Sequence, residues 1–162
     1  MPQYIRMGKV PDKRHVVFRQ ENGDLYHEEL FGTEGFSGLS SLVYHLYPPT
    51  RVKEKGQPYS VRPKVVIEDN LQARSYMSFN AEPNEDYLES RKVLFVNNDM
   101  TIAVASPMDC MNHYFFKNAD ADEMIFVHEG SGRLFTMYGE LNFKYGDYII
   151  IPRGTVYQIH FN

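Results

Sequence analysis

The stretch GDYIIIPRGTVYQIHFN, residues 146–162, decides the fold. After its first glycine comes a short apolar run, Tyr148 to Ile151, and after Pro152-Arg153-Gly154 comes an alternating run, Thr155 to Phe161. Glycine and proline at such positions favour tight turns, because glycine accepts a positive φ and proline fixes φ at about −65°. The stretch therefore predicts two strands joined by a Pro-x-Gly turn.

Similar short runs, separated by Gly, Asn and Pro, recur along the whole chain. Asn22-Gly23 predicts a hairpin turn between His15–Arg19 and Leu25–Leu30, and Gly32 to Gly38 reads as a turn-rich stretch. Lys64–Glu68 and Ser75–Phe79 are short strand candidates, and residues 80–92 suit a loop or one helical turn. Eight further strands are predicted: Val93–Val96, Thr101–Ala105, His113–Phe116, Glu123–Val127, Arg133–Tyr138, Glu140–Tyr145, Tyr148–Ile151 and Thr155–Phe161. Many short strands at even spacing predict an all-β sandwich or jelly roll.

Composition supports this fold class and excludes several functions. The chain has 162 residues, of which 12 are Tyr, 11 Phe and none Trp, and such residues favour half-buried pleated surfaces. A formal net charge of −4 with scattered cations argues against nucleic-acid binding. The single cysteine, Cys110, excludes an intramolecular disulfide and fits a reducing compartment. No apolar run suits a signal peptide or a membrane span, so we expect a cytoplasmic protein without a membrane partner.

Two sets of spacings carry more specific information. Glu123 precedes Gly130 by seven positions, and Gly146 is followed by Pro152-x-Gly154 and then Tyr157. This pattern resembles the two sequence motifs of the cupin superfamily, with motif one near 113–130 and motif two at 146–162. The resemblance implies a cupin-type jelly roll, or double-stranded β-helix, in residues 92–162. Residues 1–91 would form a β-rich N-terminal segment that packs on the barrel.

The metal-ligand positions of the cupin motifs are not kept. Counting back from Glu123, the two motif-one histidines would fall at Phe116 and Asn118, or at Lys117 and Ala119, and the motif-two histidine is Tyr157. A transition metal needs several donors in fixed geometry, so one carboxylate is a poor site. We therefore predict a degenerate pocket of Phe116, Asn118, Glu123 and Tyr157 without a metal. His113 is a weak alternative ligand, since a slipped register would turn it inward.

The first fifty residues resemble a particular family. MGKVPDKRHVVFR, LYHEELFGTEGFSG and SSLVYHLYPPT, together with GDYIIIPRGTVYQIHF, are similar to the amino-terminal half of homogentisate 1,2-dioxygenase in its shorter bacterial form. Members of that family use Fe(II) and O2 to open the ring of homogentisate, a small aromatic acid, to maleylacetoacetate in tyrosine and phenylalanine breakdown. The resemblance implies that the iron ligands lie in a C-terminal cupin half, so no cofactor and no catalytic residue are expected in this chain alone. It also implies homo-oligomers.

Three interpretations follow from these patterns. The first is a non-catalytic dioxygenase half, cut before its C-terminal catalytic half, that supports this missing partner and contributes to subunit contacts. The second is a free-standing cupin module that binds a small ligand in an aromatic barrel with Glu123 and Tyr157 as its polar groups. The third is a small cupin enzyme in which His113 and Glu123 still hold a metal.

Overall fold

The computed structural model describes residues 17–49, 52–67 and 72–162, and within these ranges the chain is almost entirely β. The only helical element there is a short 3-10 turn, Ser78–Asn80, so the all-β prediction is confirmed. No helix in these ranges is long and apolar enough to cross a membrane. The ten strands are β1 His27–Glu34, β2 Ser37–His45, β3 Lys92–Val96, β4 Thr101–Val104, β5 Phe116–Lys117, β6 Glu123–Phe126, β7 Ser131–Thr136, β8 Gly139–Lys144, β9 Tyr148–Ile151 and β10 Val156–Phe161.

The chain divides into two compact units, residues 1–55 and 56–162. The main feature of the first unit is the antiparallel hairpin of β1 and β2, which turns at Gly35, where φ is +64°. The prediction of a turn-rich stretch over 32–38 was therefore too broad, because β1 continues to Glu34. Asn22-Gly23 does form a tight turn, closed by a bridge between Arg19 and Leu25, but no regular strand precedes it in the described residues. Residues 15 and 16 of that predicted hairpin lie outside the described residues.

The second unit contains the other eight strands in three sheets. The largest sheet has the order β5-β10-β7-β8, and β6 pairs with β9 and β3 with β4. All these pairings are antiparallel, as expected for a cupin-like jelly roll, but the described strands do not close a continuous barrel. The cupin-like, all-β assignment holds in this open form.

The core of the second unit lies between the inner faces of these sheets. Burial alternates along β10, where Tyr157 and Ile159 are buried while the residues beside them are partly exposed. The same alternation buries Ile149 and Ile151 of β9. This period of two places one side chain in every pair inside, as the sequence pattern predicted. The buried hydrophobic set is Tyr87, Met111, Val127, Leu134, Phe143, Ile149, Ile151, Tyr157 and Ile159.

Three predicted strands were wrong in position or type. Lys64–Ile67 has no regular structure, Glu68 lies outside the described residues, and Ser75–Phe79 ends in the 3-10 turn. The predicted strand His113–Phe116 is only Phe116–Lys117. Short apolar runs do not determine their own backbone state, because the available sheet partner decides whether they pair. The predicted domain boundary at 91/92 stays a prediction, although Tyr87 belongs to the same core as β10.

Candidate functional site

Two turns in residues 146–162 fix the register of the site, where β9 and β10 belong to different sheets and do not pair with each other. Gly146 and Gly154 both have positive φ, +88° and +84°, a conformation that side chains with a Cβ rarely adopt. Gly154 donates its backbone N–H to the carbonyl oxygen of Asn118 at 2.7 Å, and Gly146 donates to that of Val127 at 2.8 Å. The turns are thus tied to neighbouring strands, and the strand after Gly154 begins in a defined register.

That register brings the predicted pocket residues together. Tyr157 lies on β10 between Phe116 of β5 and Thr136 of β7, and Glu123 begins β6 opposite Ile151. The rings of Phe116 and Tyr157 meet edge to face, with centroids 5.5 Å apart. The Tyr157 hydroxyl donates a hydrogen bond of 2.6 Å to Oε2 of Glu123.

A third side chain, Arg91, completes the cluster. Its Nη1 donates to Oε1 of Glu123 at 2.7 Å, and its Nη2 donates to the hydroxyl oxygen of Tyr157 at 2.9 Å. Each carboxylate oxygen of Glu123 therefore accepts one hydrogen bond, and the three side chains form a closed ring of contacts. Short charge-assisted bonds of this kind are the stronger class of hydrogen bond in proteins. We call Arg91, Glu123 and Tyr157 the guanidinium triad.

A single backbone turn positions Arg91 just before β3. The Asp86 carboxylate accepts hydrogen bonds from the backbone N–H groups of Leu88 and Glu89 at 2.8 and 2.9 Å, which is how an acidic residue caps the start of a helical turn. Its other oxygen accepts a bond of 2.5 Å from the Tyr114 hydroxyl. Ser90, which is fully buried, donates its hydroxyl to the Tyr87 carbonyl oxygen at 2.8 Å. This turn lies within the stretch, 80–92, where a loop or one helical turn was predicted.

Aromatic rings enclose the guanidinium group. Cζ of Arg91 lies 4.6 Å from the ring centroid of Tyr87 and 5.4 Å from that of Phe116, both within the range of cation–π attraction. The side chains of Arg91 and Glu123 are 25% and 12% exposed, and Tyr157 is fully buried. The charge pair thus lies largely out of water, where each partner needs the other.

The electrostatics keep both donors of the triad protonated. Burial raises the pKa of Tyr157 above the usual value for a phenol, and the neighbouring Tyr87 and the bond to Glu123 raise it further. Burial acts to lower the pKa of Arg91, but Tyr87, Tyr157 and Glu123 outweigh this effect and the pKa is raised. Arg91 is therefore a permanent cation whose charge balances that of the Glu123 carboxylate.

The donor set does not fit a transition metal such as Fe(II). Of the four cupin ligand positions only Glu123 carries a metal-binding side chain, and both of its oxygens are engaged by the triad. Within the described residues no group of three His, Cys, Asp or Glu side chains is arranged to hold a metal ion. Iron sites in such proteins need two imidazoles and a carboxylate with open positions. We therefore assign no metal chemistry to this pocket.

The predicted residues separate into three groups. Phe116, Glu123 and Tyr157 meet in the core, as described above. Asn118 does not join them with its side chain, because Oδ1 accepts hydrogen bonds from the backbone of Asp120 and Ala121 at 3.0 and 3.1 Å. His113 is exposed in the segment before β5. Sequence reasoning missed Arg91, although a buried carboxylate without imidazole neighbours is itself a signal that a cation must be nearby.

Comparison with known proteins shows what this sequence is similar to. The family described as homogentisate 1,2-dioxygenase N-terminal matches residues 43–162. A protein of Saccharolobus solfataricus, named as a candidate dioxygenase, is 35% identical over 158 residues. The match covers 98% of this chain and 41% of that protein, so the chain spans less than half of the relative's length. No solved structure matches the chain.

The family match begins within β2 and includes every residue of the guanidinium triad. Its extent, 120 of 162 residues by the matched range, exceeds half of the chain. The relative adds similarity over almost all of the sequence, including the first unit. The chain belongs to the homogentisate 1,2-dioxygenase N-terminal family.

Proposed function

We propose that this chain is the non-metal-binding, N-terminal cupin half of a homogentisate 1,2-dioxygenase-like enzyme, with a scaffold role. The whole enzyme would use Fe(II) and O2 to open the ring of homogentisate, and its iron ligands would lie in a C-terminal half outside this chain. The role of the present chain would be to support that half and to take part in assembly of the oligomer. The family match and the dioxygenase name of the relative support the reaction class.

The observation that carries the scaffold role is the guanidinium triad. Arg91 donates to Glu123 and to Tyr157, the two ligand positions that come closest in the core. A guanidinium cation neutralises the carboxylate and donates hydrogen bonds to it, but unlike a metal ion it has no open coordination positions. It therefore cannot bind O2 or a catechol-like substrate as an iron centre would. The triad joins the turn before β3 to β6 and β10, which are distant in sequence. Its chemistry is that of a structural link.

Metal content and oxygen uptake test this proposal together. We expect the purified chain, after anaerobic incubation with Fe(II) and desalting, to retain far less than one iron per chain by elemental analysis. An oxygen electrode should record no homogentisate-dependent O2 consumption. One iron per chain that disappears in Glu123→Gln, accompanied by O2 consumption, would sink the scaffold assignment. Arg133→Met, an exposed substitution on β7, is the control for nonspecific effects on metal retention.

The two rival interpretations give different results in the same preparation. A small enzyme with His113 and Glu123 as ligands predicts metal that is lost in His113→Ala; His113 is exposed in this structure. A free-standing ligand-binding module predicts stabilisation of the fold by one small molecule, read by thermal shift, and loss of that effect in Glu123→Gln. The polar groups that such a module would offer, Glu123 and Tyr157, are already bonded to Arg91.

A further inference from the structure

The core of the second unit is open beside β8, the edge strand of the four-stranded sheet. Leu141 of β8 pairs with Leu134 of β7, so both side chains project from the same face of that sheet. Leu134 is 2% exposed but Leu141 is 61% exposed, and no described strand pairs with the other edge of β8. A groove of about 180 Å³ lies here, between β8 and the end of β9, and we call it the β8–β9 groove.

The β8–β9 groove has the size and the apolar surface of a site for a small ring. Buried Leu134 and Ile151 line it together with the more exposed Leu141 and Ile150, and Pro152 lies at the end of β9. Apolar cavities of about 150 Å³ bind molecules as large as benzene. A single six-membered ring with one small substituent therefore fits the groove by volume.

One polar group in the lining has no hydrogen-bond partner. Thr155 is 2% exposed, and its Oγ1 makes no hydrogen bond within the part of the chain that the structure describes. An unpaired buried hydroxyl destabilises a fold, so native proteins seldom keep one without a bound molecule or a function that accounts for it. Rotation of a threonine side chain about χ1, from one staggered position to another, redirects its hydroxyl. The groove thus offers one hydrogen bond to a ligand that has a polar group of its own.

The charge at the groove disfavours an anionic ligand. Glu140 is the charged residue among the described residues that line it, and its side chain is 44% exposed. Arg133, its exposed partner at 3.4 Å, is not part of the lining. A carboxylate ligand would therefore meet a like charge at the groove, whereas an uncharged ligand would not.

We propose that the β8–β9 groove binds a small uncharged hydroxyl compound. Its apolar body lies against Leu134, Leu141 and Ile151, and its hydroxyl group bonds to Oγ1 of Thr155. Two hydroxyl groups can pair in either direction, because each both donates and accepts. Phenol is a suitable probe, since it has one ring and one hydroxyl group and is uncharged at neutral pH. The site is separate from the guanidinium triad and does not depend on the scaffold function.

A titration of the folded chain with phenol, followed by amide NMR, tests the site. We expect a Kd on the order of 1 mM, typical of a ligand with so few atoms, and shifts of the amide signals of Thr136, Leu141 and Ile150. Thr155→Val should weaken phenol binding roughly five- to tenfold through loss of one hydrogen bond. The same variant should leave the binding of toluene, which has as many non-hydrogen atoms but no hydroxyl group, almost unchanged. Thr101→Val, an exposed substitution on β4, is the matched control and should affect neither ligand.

Benzoate tests the part played by Glu140 without altering the core. Benzoate should bind the wild-type chain more weakly than phenol, and Glu140→Gln should strengthen benzoate binding roughly threefold while leaving phenol binding the same. Each variant is first shown to keep the wild-type far-UV circular dichroism spectrum. The proposal is overturned if phenol does not shift the amide signals of the groove, if Thr155→Val weakens phenol and toluene equally, or if benzoate binds as well as phenol. None of these readouts involves iron or oxygen, so this inference and the scaffold function stand or fail independently.

Discussion

Replacing Arg91 by methionine should destabilise the second unit by about 3 kcal/mol. The substitution removes two hydrogen bonds, of 2.7 Å to Glu123 and 2.9 Å to Tyr157, and leaves a carboxylate that is 12% exposed without its cation. Removing one partner of a buried ion pair costs about 3–5 kcal/mol. We take the lower end of that range, because the Arg91 side chain keeps a quarter of its surface in water. Methionine keeps most of the aliphatic volume, so the loss is mainly electrostatic.

A double-mutant cycle isolates the pair itself. Glu123→Gln alone leaves the guanidinium without its anion and should cost about 2 kcal/mol, while the double variant should cost about 2 kcal/mol less than the sum of the two single changes. The control is Arg133→Met, because the Arg133–Glu140 pair is longer, 3.4 Å, and about half exposed. Exposed pairs of this kind contribute about 0–1 kcal/mol.

Urea unfolding followed by circular dichroism gives these free energies from the midpoint and slope of each transition. The reasoning is refuted if Arg91→Met costs no more than Arg133→Met, or if the effects of Arg91→Met and Glu123→Gln are additive. Either result would mean that water screens the triad and that it does not hold β3, β6 and β10 together. Measurement at low and high salt adds a check, because a pair out of water loses little of its coupling to added ions.

Three other substitutions test separate parts of the same core. Tyr157→Phe should reduce the loss of stability at alkaline pH. The pKa of Tyr157 is raised in the folded chain, so above about pH 10 the unfolded chain ionises this phenol while the folded chain keeps it protonated, which lowers the free energy of unfolding by about 1.4 kcal/mol per pH unit. If urea unfolding at pH 9 to 11 gives the same slope of stability against pH for the variant, the raised pKa is contradicted. Gly132→Ala should lower the free energy of unfolding by about 2–4 kcal/mol, because the new Cβ would overlap the His160 carbonyl oxygen and Cζ of Phe143. Gly56→Ala, which has open space around it, is the control and should change this free energy very little in the same thermal and urea unfolding experiments; equal effects of the two substitutions would refute the close approach at Gly132. Thr155→Val should leave the free energy of unfolding unchanged or raise it by up to about 1 kcal/mol, because Oγ1 of Thr155 is buried without a hydrogen-bond partner in the described residues. A clear loss of stability would show that this hydroxyl makes a hydrogen bond in solution.

The parts of the site that the sequence predicted are those fixed by local turn chemistry. Gly146 and Gly154 sit at positive φ, and the spacing between them sets which residues of β9 and β10 face inward. This is why the convergence of Glu123 and Tyr157 could be predicted from motif spacing alone. The side chain of Asn118 could not be placed in the same way, because an asparagine can bond to the backbone of the next residues instead of pointing inward.

Arg91 could not be found by spacing, because it lies 32 residues from Glu123 and 66 from Tyr157. Its place depends on how the turn capped by Asp86 packs against β6 and β10, which is a tertiary property. The hairpin of β1 and β2 was predicted only in part, as a strand over Leu25–Leu30 followed by a turn-rich stretch that was too long, for a related reason. Its Gly32 and Gly38 suggested a loop, but cross-strand pairing overrides a weak local preference when both strands are long enough to form a ladder.

The guanidinium triad explains why a cupin core without its imidazoles can still contain a carboxylate at a ligand position. A lone buried carboxylate would have to take up a proton or leave the core open to water. Arg91 removes both needs, because a planar guanidinium donates to two acceptors at once and remains charged at neutral pH. With Arg91 and Tyr157 bonded to it, Glu123 has both carboxylate oxygens engaged within the cluster. If Arg91 is the charge that stabilises Glu123, then Glu123→Gln should lower the free energy of unfolding even in a metal-free buffer. A carboxylate that served only as a metal ligand could be replaced in that buffer without such a loss, because no metal ion would be bound to it.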